Sequence, residues 1–202
     1  MIIHSILGCI KDVAKPDKRK EILRAAVELI AEQGFHGAPM AMIAEKAGVA
    51  AGTIYCHFRS RDVLINELYL EIEERITAFL QDGYVVENTI RERFLHLVTG
   101  LLRYFIAHPL DFRYTEQFHN SPYGAAFRRD KCLGKSDNNI YMELFEQGVS
   151  QRVIQDLPLI VLAALTFGPL ISVMRDHTLG FVTLDDRLIE KIAASCWEAL
   201  RQ

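Results

Sequence analysis

The sequence predicts an all-α chain, in which a three-helix N-terminal head precedes a larger helical body, with about nine helices in all. Apolar residues recur at helical spacing almost throughout, and no segment alternates with period two for long enough to make a strand. Glycine, proline and hydroxyl residues fall at the edges of the periodic segments, where helices start and stop. Half of the 202 residues are hydrophobic and 24% are charged, the profile of an ordinary globular chain long enough to bury a sizeable core.

Pro16-Asp17 opens a first helix over residues 17 to 33, with Ile22, Leu23, Ala26, Val27 and Ile30 as one stripe. Gly34 closes it, because glycine tolerates the positive φ that helix C-termini favour. Pro39 suits the first turn of a short second helix ending near Ala47, since a missing N–H costs little there. Gly48 makes a tight turn, and a third short helix runs from Ala50 to His57. Ser60 is placed to cap a long fourth helix, about 61 to 82, by accepting from the free amides of Asp62 or Val63. This helix joins the head, residues 1 to 62, to the body, residues 63 to 202. Ile90, Phe94, Leu97, Val98, Leu101, Leu102 and Phe105 stripe the next helix, and His108-Pro109 ends it. Shorter helices follow over 110 to 120 and 123 to 132, then a loop over 134 to 139, then a helix striped by Ile140, Tyr141, Leu144, Phe145 and Val149. The last two cover about 157 to 177 and 184 to 201.

Net charge is −3, unevenly divided. Residues 1 to 62 carry nine Lys/Arg against seven Asp/Glu, and the remainder fourteen against nineteen, so a mildly basic head sits on an acidic body. Cys9, Cys56, Cys132 and Cys196 share no ligand spacing and read as free thiols in a reducing cytoplasm, each a small buried hydrophobe. Met1 to Ile10 is too short for a secretory signal and has no basic residue before it, so it reads as an N-terminal extension. Leu157 to Met174 lacks charge over eighteen residues, the lower limit for crossing a bilayer, but Pro158, Thr166, Gly168, Pro169 and Ser172 interrupt it. It reads as a helix buried on all sides in a core or dimer interface, with no membrane partner. Gly134-Lys135-Ser136 resembles the end of a phosphate loop, but Arg129 stands where glycine is needed. No metal spacing or nucleophile turn is present, so no cofactor, metal or enzymatic role is expected.

The informative segment runs from Met40 to Phe58. With Met40 as its first position, Ala44 is small where two helices cross closely, and Gly48 falls where the turn needs positive φ. Ile43, Val49, Ile54 and Phe58 supply an apolar wedge. That is the spacing of a helix-turn-helix. The opposite face of its second helix begins with Ala50, Ala51, Gly52 and Thr53, which can approach base edges, while Tyr55, His57 and Arg61 can reach phosphates.

Gly34-Phe35, Ile43-Ala44, Ala47-Gly48-Val49, Gly52-Thr53-Ile54-Tyr55, His57-Phe58 and Arg61-Asp62-x-Leu64 together resemble the N-terminal signature of TetR family regulators, over about residues 18 to 68. The resemblance implies a homodimeric, ligand-responsive transcription regulator, usually a repressor, that pairs through its last two helices and releases a palindromic DNA operator when a small molecule binds. It also implies that Tyr55, His57 and Arg61 contact phosphates and that Ala50 to Thr53 form the base-facing edge. Ala38 and Pro39 depart from the Thr and Ser/Thr usual before the second helix, and Ala50 from the Ser usual before the third. Few side-chain hydrogen bonds are then available to bases, so readout is expected to lean on thymine methyls, backbone amides and DNA shape. The alternative is an all-helical enzyme or binding module without DNA binding.

The same resemblance places an effector cavity among helices four to eight. Tyr69, Leu101, Phe105, Phe112, Phe118, Tyr141, Phe145 and Phe167 are its candidate lining, suited to a hydrophobic compound, and Glu73 is the candidate anchor for a cation. The mixed aromatic and polar stretch from Asp111 to Pro122 is expected at the cavity mouth, where ligand entry would move helix four.

Overall fold

The computed structural model describes residues 17 to 133 and 140 to 202, with the backbone alone for 128 to 133. Cys9, the side chain of Cys132, the run Met1 to Ile10 and the Gly134-Lys135-Ser136 segment lie outside the described residues.

All regular structure among the described residues is helical: α1 (Lys18–Gln33), α2 (Met40–Lys46), α3 (Ala51–His57), α4 (Arg61–Gln81), α5 (Ile90–Ala107), α6 (Pro109–His119), α7 (Pro122–Leu133), α8 (Ile140–Ser150), α9 (Leu159–Thr178) and α10 (Asp186–Leu200). Ten helices are present among the described residues, matching the segments expected one by one, so the total of about nine is one short; α6 and α7 are separate, as expected, and meet at Asn120-Ser121. Side-chain caps set several starts. Asp17 accepts from the Arg19 amide at 3.1 Å, Ser60 Oγ from the Val63 amide at 3.2 Å, and Asp185 from the Leu188 amide at 2.8 Å. Thr89 and Glu92 cap α5 reciprocally, which holds the exposed Glu92 carboxyl below its usual pKa through the Thr89 hydrogen bonds. Pro39 is the N-cap of α2, in extended conformation, rather than part of its first turn.

α1 packs on α2, α3 and α4 and lies along α6, while α5 is the central helix, in contact with α4, α6, α8, α9 and α10. One apolar core runs from Ile22 to Leu200. The division expected between residues 62 and 63 falls in the first turn of α4, and Leu64, Ile65 and Leu68 carry the core across it.

One expectation about burial is corrected, that for Cys56. α9 is long and apolar enough to cross a membrane by length and composition alone, and within the single chain one of its flanks is buried. Leu162, Thr166, Leu170 and Met174 face α5, α8 and α10, while Ile160, Val161 and Leu165 on its other flank are exposed. Cys56 is exposed because α3, at two turns, buries only Ile54; Cys196 is buried as expected, and burial raises its thiol pKa.

Candidate DNA interface and sensor region

The turn between α2 and α3 is built from backbone first. Gly48 sits at φ 66°, and the Val49 amide donates to the Ala44 carbonyl at 3.0 Å. A Cβ at Gly48 would meet nothing within 4 Å, so glycine is required there for conformation and not for space. Ile43, Ala44, Ile54 and Phe58 are buried and Val49 is half-buried, which fixes how α3 crosses α2. With its inner face so committed, α3 turns Ala51, Gly52, Tyr55, Cys56 and His57 outward, Tyr55 with 56% of its surface exposed. Ala50 is exposed and Thr53 half-buried at its start. Neither Pro39 nor Ala50 makes a side-chain cap hydrogen bond. The sequence-predicted edge therefore forms one open surface, apart from Arg61.

Arg61 is turned inward. Its Nη2 donates to the Phe35 carbonyl, and its Nε is buried without a hydrogen-bond partner. Phe35 in turn lies against Tyr114 of α6 and Tyr123 of α7, with ring centroids 6.0 and 5.5 Å away. The Tyr114 hydroxyl donates to the Ile65 carbonyl at 2.6 Å, the Tyr123 hydroxyl to Asp62 Oδ1 at 2.7 Å, and Gln117 Nε2 to the Ala31 carbonyl at 3.3 Å. Arg19 ties α1 to α4 by hydrogen bonds to Glu67, at 2.8 Å, and to Glu71, which hold its pKa above the usual value. Its guanidinium carbon stands 5.5 Å from the Phe58 ring centre. The Asp111 to Pro122 stretch, expected at a cavity mouth, contacts the head through Tyr114 and Gln117, which its spacing alone does not reveal. The signal was present as polar-tipped aromatics at helical spacing, but spacing does not name a partner.

The sensor candidates are brought together as packed groups. Tyr69 stacks on Phe118 at 3.8 Å between centroids, and its hydroxyl lies 3.3 Å from His119 Nε2 and in hydrogen-bond reach of Glu73. Phe105 meets Phe112 edge-on at 5.4 Å, beside Leu101 in the same buried core. Tyr141 meets Phe167 at 4.8 Å and donates to the Leu97 carbonyl at 3.0 Å, while Phe145 is fully buried. Burial, and secondarily the Glu73 charge, pushes the hydroxyl pKa values of Tyr69 and Tyr141 well above the usual range. These tyrosines stay neutral donors.

A cleft of about 420 Å³ opens between α4 and α7, bordered by Asn66, Tyr69, Leu70, Pro122, Tyr123, Ala126 and Phe127. Of the sensor candidates it includes Tyr69 alone, because the remaining aromatic side chains fill the space between their own helices. A second groove, of about 360 Å³, runs along α9 and α10 between Leu165, Pro169, Val173, Leu188, Ile192 and Cys196. Among the described residues no three His, Cys, Asp or Glu side chains are grouped to hold a metal.

Comparison with known proteins matches both halves of the chain. The family described as bacterial regulatory proteins, tetR family, matches residues 22–68, and the tetracyclin repressor-like C-terminal domain matches residues 89–201. A TetR family regulator of known structure from Vibrio parahaemolyticus is 31% identical, with a TM-score of 0.72 over 92% of this chain and 99% of that one. The fatty acid metabolism regulator protein of Bacillus subtilis is 34% identical over 79 residues, 39% of this chain and 41% of the relative, so the chain spans about two fifths of its length. The fold is also shared with the regulator FadR from Bacillus subtilis in complex with stearoyl-CoA, at 20% identity and a TM-score of 0.68, covering 89% of this chain and 95% of that one.

Proposed function

The chain belongs to the TetR family of bacterial regulatory proteins and is a transcriptional regulator rather than an enzyme, and from that premise we propose that it is a ligand-responsive repressor. It binds a palindromic operator as a homodimer, in the cytoplasm, and lets go when a small, largely hydrophobic molecule enters the body. The observation that carries this reading is the outward face of α3, where small residues from Ala50 to Thr53 leave the backbone accessible and Tyr55 and His57 stand free at its far end. An α-helix presented in this way fits a major groove.

Effector entry needs room that the packed aromatic groups do not leave, so the Tyr69–Phe118 stack is the contact that opens, from the adjoining α4–α7 cleft. Movement there is passed to the head through α6 and α7, because Tyr114, Gln117 and Tyr123 hold Phe35, Ala31 and Asp62. A hydrophobic effector is favoured by the lining itself: Leu101, Phe105, Phe112, Tyr141, Phe145 and Phe167 contribute almost no charge, with Glu73 as the anionic group in reach. The stearoyl-CoA bound by the Bacillus regulator is a precedent for an apolar effector on this fold.

Selection of duplexes from a random-sequence DNA library by the purified protein, followed by nuclease protection, tests the reading. One palindromic site should be enriched, with half-sites about 34 to 36 Å apart, and Tyr55→Ala should weaken its protection. Compounds extracted from the purified protein should release it. Unselective binding, or protection that no extracted compound alters, would overturn the operator or the effector half of the reading respectively.

A further inference from the structure

We infer that Arg59, and not Arg61, supplies the charged phosphate contact at the corner between α3 and α4. The inference rests on the DNA-binding reading above and assigns a residue within it.

A phosphate contact requires a cation whose head group is not already engaged and which stands on the DNA-facing side. Most cations of the described head fail the first requirement. Arg19 is held by Glu67 and Glu71, Lys20 by Asp17, Arg24 by Glu21 and Lys46 by Glu28. Arg61 donates to the Phe35 carbonyl, whose other donor is the Ala38 amide at 3.4 Å, and reaching a phosphate would remove the side-chain donor that holds Phe35, the residue packed against Tyr114 and Tyr123. Arg59 and Lys18 remain, exposed and without an ion pair or hydrogen bond among the described residues. Lys18 opens α1, whereas Arg59 follows α3 directly.

Backbone geometry aims Arg59 outward. Phe58 (φ −131°, ψ 105°) and Ser60 (φ −152°, ψ 165°) are both extended, so side chains through the corner alternate in direction. Phe58 is fully buried and Ser60 turns back to cap α4, which leaves Arg59 on the side opposite to Phe58, exposed like His57 two residues before it. An exposed guanidinium beside the recognition helix is suited to a phosphate, whose charge it meets without sequence preference. Arg61 is then a positioning residue that holds the end of α1 against the start of α4.

The test compares Arg59→Gln with Arg61→Gln, each of which removes the charge and keeps an amide donor. The probes are the duplex enriched by the wild-type protein and a random-sequence duplex of equal length, titrated over a range of KCl concentrations. Arg59→Gln should weaken both duplexes by the same factor, flatten the slope of log K against log salt by about 0.9 per protomer, and leave the melting temperature unchanged. Arg61→Gln should lower the melting temperature and, measured well below it, leave the slope at the wild-type value. A wild-type slope in Arg59→Gln, or an equal loss of slope in folded Arg61→Gln, overturns the assignment. Absence of salt-dependent binding by the wild-type protein would instead remove the DNA-binding reading, and this assignment with it.

Discussion

Ala50 presents a methyl group where four other helices of this chain begin with a side-chain acceptor, at Asp17, Ser60, Thr89 and Asp185. Its backbone already has the extended N-cap conformation, φ −63° and ψ 146°, so a hydroxyl added there needs no rearrangement to meet a free amide of α3. Ala50→Ser should therefore stabilise the protein by about 1 kcal/mol, read as a higher urea midpoint at unchanged slope. An unchanged midpoint would mean that α3 is held by its apolar wedge alone. Residue roles of this local kind were legible in the sequence: Ser60 caps Val63, one of the two amides open to it, and Gly48 has the positive φ its position called for. Arg61 was not legible, because its acceptor lies 26 residues away and only the folded head brings Phe35 to it.

α6 was expected to border a cavity, and its principal role in the structure is to join other helices. Asp111, with 6% of its surface exposed, accepts two hydrogen bonds from Arg75 Nη2 of α4, at 3.0 and 2.9 Å, and one from the Tyr104 hydroxyl of α5, at 2.6 Å. Burial, reinforced by Asp111, pushes the Tyr104 hydroxyl up to about 12. One carboxylate thus ties three helices at one end of α6, while Tyr114 and Gln117 tie the other end to α4 and α1. Periodicity located the helix to within a residue or so at each end, since boundaries depend on the local Pro109 and Asn120. It gave no account of the partners, which lie on other helices. Asp111→Asn keeps the shape and removes the charge. Because Arg75 is about half exposed and can rehydrate, the loss should be about 2 kcal/mol, below the 3–5 kcal/mol typical when a fully buried pair is broken. Urea unfolding measures it, and a loss under about 0.5 kcal/mol, the scale of an ordinary surface substitution, would show that Asp111 does not clamp the bundle.

The whole molecule leaves one apolar helix half covered. α9 commits Leu162, Thr166, Leu170 and Met174 to the core and exposes Ile160, Val161 and Leu165, and the groove beside Leu165 continues onto Leu188 and Ile192 of α10. Apolar patches of this kind mark contact surfaces, and one shared by two adjacent helices suits a two-fold contact in which each copy presents the same face. The charge division fits that arrangement, with the mildly basic heads turned to DNA and the acidic bodies away from it. Leu165→Glu would put a carboxylate from each copy into the apolar contact, at a residue already exposed in the single chain, so the protomer should fold as before. Sedimentation should then report a species of 23.0 kDa where the unaltered protein gives twice that mass. Helical circular dichroism should be retained, and operator affinity should fall by about 10²- to 10⁴-fold, because two half-site contacts are no longer linked in one particle. A dimer that survives Leu165→Glu with full operator affinity would place the pairing surface away from α9, and would leave its exposed flank to another partner.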